Sequence, residues 1–252
     1  MSLSIVGTDV PTHAGTNARG SDRALELPEA RTADGARLLG HLQAEGFAVL
    51  NIEGGIEQFE RRSHSLGRVV DVTDVHLIDG GRTYLSRSGP VPFHTDHPSI
   101  AWIGWLCLAQ DEVDGSNLLI DTRALLGAMG DEAEKLRDIR IGCPDLQSTR
   151  ESYEHPLLWT EGRGVRVYWS PWRRLAAPTS TAAALALDRF ITLVDEAPAD
   201  ARASVRLQPQ QALYIDNGRM LHGRAAIHPA SPRRLLRHWI VIDGERDRTS
   251  RP

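Results

Sequence analysis

The chain has 252 residues, 41% hydrophobic and 25% charged, a balance suited to one large globular domain with a substantial core. Its net charge of -4, with arginines spread among carboxylates, argues against a nucleic-acid-binding surface. Two cysteines, Cys107 and Cys143, are too few for a disulfide framework, and no apolar run reaches membrane-spanning length, so a soluble, cytoplasmic protein without a leader is expected.

Residues 1–22, rich in Thr, Gly, Ser and Asn, are expected to form a loose arm ahead of a single domain over 23–252. Helical spacing in ADGARLLGHLQAEG predicts a helix, Gly46 a stop, and FAVLNI a strand. GIEQFERRSHSLG repeats the helical pattern and ends at a glycine. Short strands are then predicted at RTYLSRS, PFHTD, AWIGWLCLA and SNLLIDT, separated by Gly, Pro and Asp. DTRALLGAMGDEAEKLRD reads as a helix capped by Asp121 or Thr122, followed by the strand IRIGC. TAAALALDRFITLVDEA is a further helix, with Leu185, Phe190 and Leu193 on its apolar stripe. Strands return at ASVRLQP, QALYIDN, RMLHGRAAI and RRLLRHWIVID. This order predicts a mostly β fold with flanking helices, a jelly roll rather than an alternating βαβ sheet.

Three segments carry chemistry. In PFHTDHP, residues 92–98, an extended backbone alternates side chains, so His94 and Asp96 share one face while Thr95 and His97 take the other. In LYIDNGRMLHGR, residues 213–224, the turn signal Asp216-Asn217-Gly218 precedes a strand carrying His222. Two histidines and one carboxylate with open positions suit non-haem Fe(II) and oxygen chemistry, although a zinc hydrolase could use the same side chains. In RRLLRHWI, residues 233–240, strand parity puts Arg234, Leu236 and His238 on one face and Arg233, Leu235 and Arg237 on the other. An inward arginine there offers a planar fork for a dicarboxylate; the competing reading is a solvated basic strand edge.

In that order, HTD at 94–96, DNGRMLHGR at 216–224 and RRLLRH at 233–238 resemble the Fe(II)/2-oxoglutarate-dependent dioxygenases of the taurine dioxygenase and clavaminate synthase-like superfamily. The similarity runs from near Ala33 to about Asp243. It implies a double-stranded β-helix, with His94, Asp96 and His222 as iron ligands and 2-oxoglutarate and O2 as cosubstrates. It also implies Arg234 as the grip on the distal carboxylate of 2-oxoglutarate, with Asn117 of DGSNLLIDT where relatives often carry a threonine.

His238 falls where several relatives place an arginine that binds an acidic group of the substrate. Arg87 and Arg237 are further candidates for substrate contact, and Trp169, Trp172 and Arg173 of VYWSPWRR for the mouth of the site. Asp96 stands where halogenases of the family carry a small residue, so the resemblance implies oxidation, with succinate and CO2 released. The expected substrate is an amino acid or a related small polar metabolite. A sulfonate- or carboxylate-oxidising enzyme and a non-catalytic jelly-roll sensor are the alternatives.

Overall fold

Leu38, Leu39 and Leu42 recur at helical spacing, and Ala33–Glu45 forms helix α1. The helix stops at Gly46, whose φ of 83° few other residues adopt and whose N–H donates to the Leu42 carbonyl. Strand β3 (Phe47–Asn51), helix α2 (Gly55–Leu66) and strand β4 (Arg68–His76) follow. Two short strands come earlier in the chain, β1 (Leu3–Ile5) and β2 (Leu25–Leu27). After a 3-10 turn at Tyr84–Ser86 come β5 (Val91–His94), β6 (Trp102–Ala109) and β7 (Asn117–Asp121). The Asp121 carboxylate caps helix α3 (Thr122–Met129), accepting from the Arg123 N–H. Two hairpins follow, β8 (Arg140–Pro144) with β9 (Glu151–Pro156), and β10 (Leu158–Glu161) with β11 (Gly164–Val167). Helix α4 (Thr181–Asp195), capped by Ser180, precedes β12 (Arg202–Val205), β13 (Gln211–Asp216), β14 (Met220–Arg224) and β15 (Arg234–Val241). This computed structural model describes residues 3–5, 25–27, 33–78, 81, 83–112, 114–146, 151–162, 164–197 and 202–242.

Seven strands form a major sheet in the order β2-β1-β3-β13-β6-β15-β4, and four form a minor sheet in the order β12-β7-β14-β5. Their pairings are antiparallel. Val49, Ile103, Trp105, Leu213 and Leu235 of the major sheet meet Leu119, Val205 and Met220 of the minor sheet in one buried cluster, so the sheets face each other. The other side of the major sheet is covered by α1 and α2 through Leu38, Leu42 and Phe59, which pack on Trp102, Tyr214 and Ile240. The outer side of the minor sheet is covered by α3 and α4 through Leu125, Phe190 and Val194. Strands β6, β13 and β15 are therefore buried on both faces. Among the described residues, no helix is long and apolar enough to cross a membrane.

Several local expectations are corrected. RTYLSRS does not form a strand: Tyr84–Ser86 is a 3-10 turn, held as the Ser86 hydroxyl donates to the Thr83 carbonyl at 3.0 Å. Leu185 is 65% exposed, and the buried stripe of α4 is Ala183, Ala186, Leu187, Phe190 and Val194. The helix expected through Asp138 changes to 3-10 geometry at Gly130. Within the segment expected as a loose arm, Leu3–Ile5 pairs with β2 and reaches β3 through Ile5 and Leu50; the rest of residues 1–22 lies outside the described residues.

Candidate metal centre

Strand β5 ends at His94, which lies directly opposite His222 of β14. Gly223 permits this approach, because a Cβ there would sit 2.6 Å from the Val91 carbonyl oxygen. The two imidazole centroids are 4.3 Å apart. Asp96 lies two residues beyond the end of the strand, and its carboxylate stands beside His94, the neighbour that alternation implied. Asn217, in the turn after β13, fixes that loop. Its Oδ1 accepts from the Asp96 N–H at 2.8 Å, and its Nδ2 donates to the carbonyls of His97 at 3.1 Å and Ile100 at 3.0 Å. Thr95 adds a clamp, its N–H donating to the Trp169 carbonyl at 2.8 Å while its hydroxyl accepts from the Trp169 N–H at 2.9 Å.

Asp96 Oδ1 sits 3.6 Å from His94 Nε2 and 3.9 Å from His222 Nε2. One ligand atom from each of the three buried residues lies within 4.8 Å of the others. His94 donates through Nδ1 to the Pro92 carbonyl at 2.9 Å, which leaves Nε2 with its lone pair. Burial pushes both imidazoles below their ordinary pKa, His222 to about 3 with help from His94, so both are neutral near pH 7. For Asp96 burial acts in the opposite sense and raises the pKa. The charge of Arg237, the two histidines and the Trp239 N–H together outweigh it and hold the carboxyl below its usual range. Two neutral nitrogens and one anionic oxygen, converging in a buried site, fit a divalent metal.

A cavity of about 500 Å³, open mouth included, adjoins the three side chains and is lined among others by Tyr84, Asn117, Arg224, Arg233 and Arg237. Its three arginines are all buried. Arg233 donates to the Gly115 carbonyl at 3.2 Å and to Asn117 Oδ1 at 3.1 Å, while Asn117 Nδ2 donates to the Val205 carbonyl at 3.2 Å. Burial, followed by the charge of Arg224, pushes Arg233 down to about 10. The Nε atoms of Arg224 and Arg237 are buried with no hydrogen-bond partner among the described residues. Arg237 donates to Thr73 Oγ1 at 3.0 Å and lies 3.5 Å from Asp96 Oδ2. A buried cationic chamber of this kind favours an anionic ligand.

Three sequence expectations move. Arg234, Leu236 and His238 do share a face, but it is the face turned away from the cavity. Arg234 is exposed and pairs with Asp74, its Nε 3.0 Å from each carboxylate oxygen. His238 is buried against α2, 2.9 Å from the Ser63 hydroxyl and 4.3 Å from the Phe59 ring, where burial pushes it to about 4. The inward face carries Arg233, Leu235 and Arg237 instead. Arg87 is also outside the cavity lining; its guanidinium donates to the Gly81 carbonyl at 3.1 Å.

Of the mouth candidates, Trp169 packs in the core against Phe190, and Arg173 is half-buried in the same turn. Trp172 reaches the site, stacked on Tyr84 with ring centroids 4.4 Å apart and set at 70° to the His94 ring with centroids 4.8 Å apart. His97 holds the loop from outside, its Nε2 2.9 Å from the Pro144 carbonyl. Sequence reasoning missed Arg233, Arg224, Tyr84 and Trp239. Arg224 was accessible, since it stands two residues after His222 on the same strand and hence the same face.

Known proteins share this fold. The family model described as Taurine catabolism dioxygenase TauD, TfdA family matches residues 23–239. No curated protein matches the chain at the level of sequence. Among solved structures, an asparagine oxygenase in complex with Fe(II), 2S,3S-3-hydroxyasparagine and succinate superposes with a TM-score of 0.66 and 18% identity, covering 83% of this chain and 79% of that one. The non-haem iron oxygenase OrfP, in complex with Fe, succinate and (3R,4R)-dihydroxy-L-arginine, gives 0.63 and 16%, covering 83% and 80%. PvcB from Pseudomonas aeruginosa, an Fe, alpha-ketoglutarate-dependent oxygenase from an isonitrile synthetic pathway, gives 0.61 and 19%, covering 82% and 79%. These likenesses show a shared fold.

Proposed function

The chain belongs to the taurine catabolism dioxygenase TauD, TfdA family, and from that premise we propose that it is a non-haem Fe(II)- and 2-oxoglutarate-dependent oxygenase of a small polar metabolite, an amino acid or close derivative. The observation that carries this is the convergence of His94, Asp96 and His222 beside a chamber lined by buried arginines. The two facing antiparallel sheets support the finer description of the fold as a double-stranded β-helix. The start of the family match at residue 23 supports a single domain over 23–252.

His94 Nε2, Asp96 Oδ1 and His222 Nε2 would hold the metal on one side, leaving its cavity side open. Iron bound there with 2-oxoglutarate and O2 supplies oxidation of a C–H bond, with succinate and CO2 released. The protein's part is orientation. Arg233 is assigned to the distal carboxylate of 2-oxoglutarate, a role that its exposure denies to Arg234. Asn117 holds the Arg233 fork in place through its side-chain oxygen. Arg237, on the same face one turn of the pleat beyond Leu235, is assigned to an acidic group of the substrate. Tyr84 and Trp172 form an aromatic wall that keeps water from the His94 side. An amino acid is favoured because the asparagine oxygenase and OrfP structures hold hydroxylated amino acids on the same fold.

Succinate release from 2-oxoglutarate, measured under air with Fe(II) and screened over free amino acids and small acids, tests the reading. Release stimulated by one compound class is expected. A protein that binds neither iron nor 2-oxoglutarate would refute it.

A further inference from the structure

The two oxygens of Asp96 have different surroundings. Oδ1 faces both imidazoles, at 3.6 Å from His94 Nε2 and 3.9 Å from His222 Nε2. Oδ2 turns to β15, where it accepts from the Trp239 indole N–H at 2.7 Å and lies 3.5 Å from Arg237 Nη1. The indole is held firmly. Trp239 is paired in register with Ile103 of β6 and Asp71 of β4, packs against the core between the sheets, and has the Arg237 guanidinium 4.4 Å from its ring centroid. Arg237 in turn is tied to Thr73.

We propose that Trp239 is a positioning residue, whose indole N–H occupies Asp96 Oδ2 and so keeps the carboxylate to a single metal-facing oxygen. The proposal rests on the reading of His94, Asp96 and His222 as a metal site. A carboxylate free to rotate can offer both oxygens to a cation, and the second would consume a position needed by cosubstrate or O2. A strong donor on Oδ2 removes that option, and it comes from a central strand rather than a loop, which fixes its direction. Arg237 cannot substitute for it, since its nearer contacts are on β4 and its distance to Oδ2 is longer than a hydrogen bond requires.

Anaerobic Co(II) titration of the wild type, Trp239→Phe and Asp96→Ala tests the assignment through affinity and d–d absorption, with no turnover needed. Phenylalanine keeps an aromatic ring and removes the donor. The expected result is a change of about tenfold or more in Co(II) affinity for Trp239→Phe, the range typical for partners of metal ligands, with an altered d–d spectrum as the freed Oδ2 reaches the metal. A purely structural indole predicts a lower melting temperature with unchanged affinity and spectrum in the folded protein, and that outcome overturns the proposal. If Trp239→Phe does not fold, replacement by 3-benzothienylalanine, with sulfur in place of the N–H and nearly the same shape, gives the same comparison. Failure of the underlying reading looks different: the wild type then shows no stoichiometric Co(II) binding, or Asp96→Ala binds as tightly as the wild type.

Discussion

Replacing Arg233 by alanine is the perturbation that most directly separates the inward face of β15 from its outward face. The guanidinium is buried, its fork is set by Asn117 Oδ1 and the Gly115 carbonyl, and burial has already lowered its pKa to about 10, so its charge is short of compensation. A carboxylate of 2-oxoglutarate would supply that compensation. Removing one partner of a buried, hydrogen-bonded charge pair costs about 2–5 kcal/mol, and since 1.4 kcal/mol is a factor of ten, the lower end corresponds to a loss of about thirtyfold in cosubstrate affinity. Arg233→Lys keeps the charge but not the fork and should fall between the two. Arg234→Ala should leave cosubstrate affinity unchanged, because that side chain is exposed and occupied by Asp74. The assay is anaerobic titration of 2-oxoglutarate into each Fe(II)-loaded variant, followed by the metal-to-cosubstrate charge-transfer absorption. Normal binding by Arg233→Ala together with lost binding by Arg234→Ala would refute the reasoning and return the anchor to the other face.

Asp96→Ala should abolish stoichiometric iron binding and oxidation together, which equilibrium dialysis and succinate assay would register; full turnover would remove Asp96 from the ligand set. Asn217→Ala should lower stability by about 2–4 kcal/mol, because a buried N–H and two carbonyls lose their partner, and should weaken metal affinity as the Asp96 loop loosens; denaturant melts and Co(II) titration check the two effects separately. Stability of the metal-free protein should fall with pH below the ordinary histidine value of 6.5. His238 and His155 are pushed to about 4 and His222 to about 3, so the unfolded chain binds more protons across that window. Melting temperatures that stay flat from pH 6.5 to pH 4 would contradict this, and His238→Gln should flatten part of the slope.

Much of the site was legible because its residues are chemically conspicuous. His94, Asp96 and His222 stand out as a ligand set, and the turn signal of Asp216-Asn217-Gly218 marks where the strand bearing His222 begins. The error lay in the direction of β15. Alternation correctly grouped Arg234 with Leu236 and His238, but it decides which group is inward only when one face meets water. Here α2 covers one face through Phe59 and the minor sheet covers the other, so apolar residues occur on both and the usual contrast vanishes. A register shift at Arg234 and Leu235 against β6 further blurs the end of the strand. Asp96 shows a different limit. Strand parity gave it the right neighbour, but the ladder ends at His94, and the bond that fixes Asp96 comes from Asn217, far along the chain. The strand β4 escaped notice because RVVDVTDVH lies at a sheet edge, where its alternation is inverted: Val72 is 58% exposed while Thr73 meets the buried Arg237.

The bond between the Asp96 N–H and Asn217 spans 121 residues of sequence. During synthesis, His94 and Asp96 leave the ribosome long before Asn217 and His222 exist. A nascent chain can therefore present only two of the three candidate ligands, on a loop that lacks its bond to Asn217. Two ligands alone hold a labile divalent metal poorly, because ligand geometry and metal affinity arrive with folding. A site that needs both Asn217 and His222 is complete only once the last strands have docked.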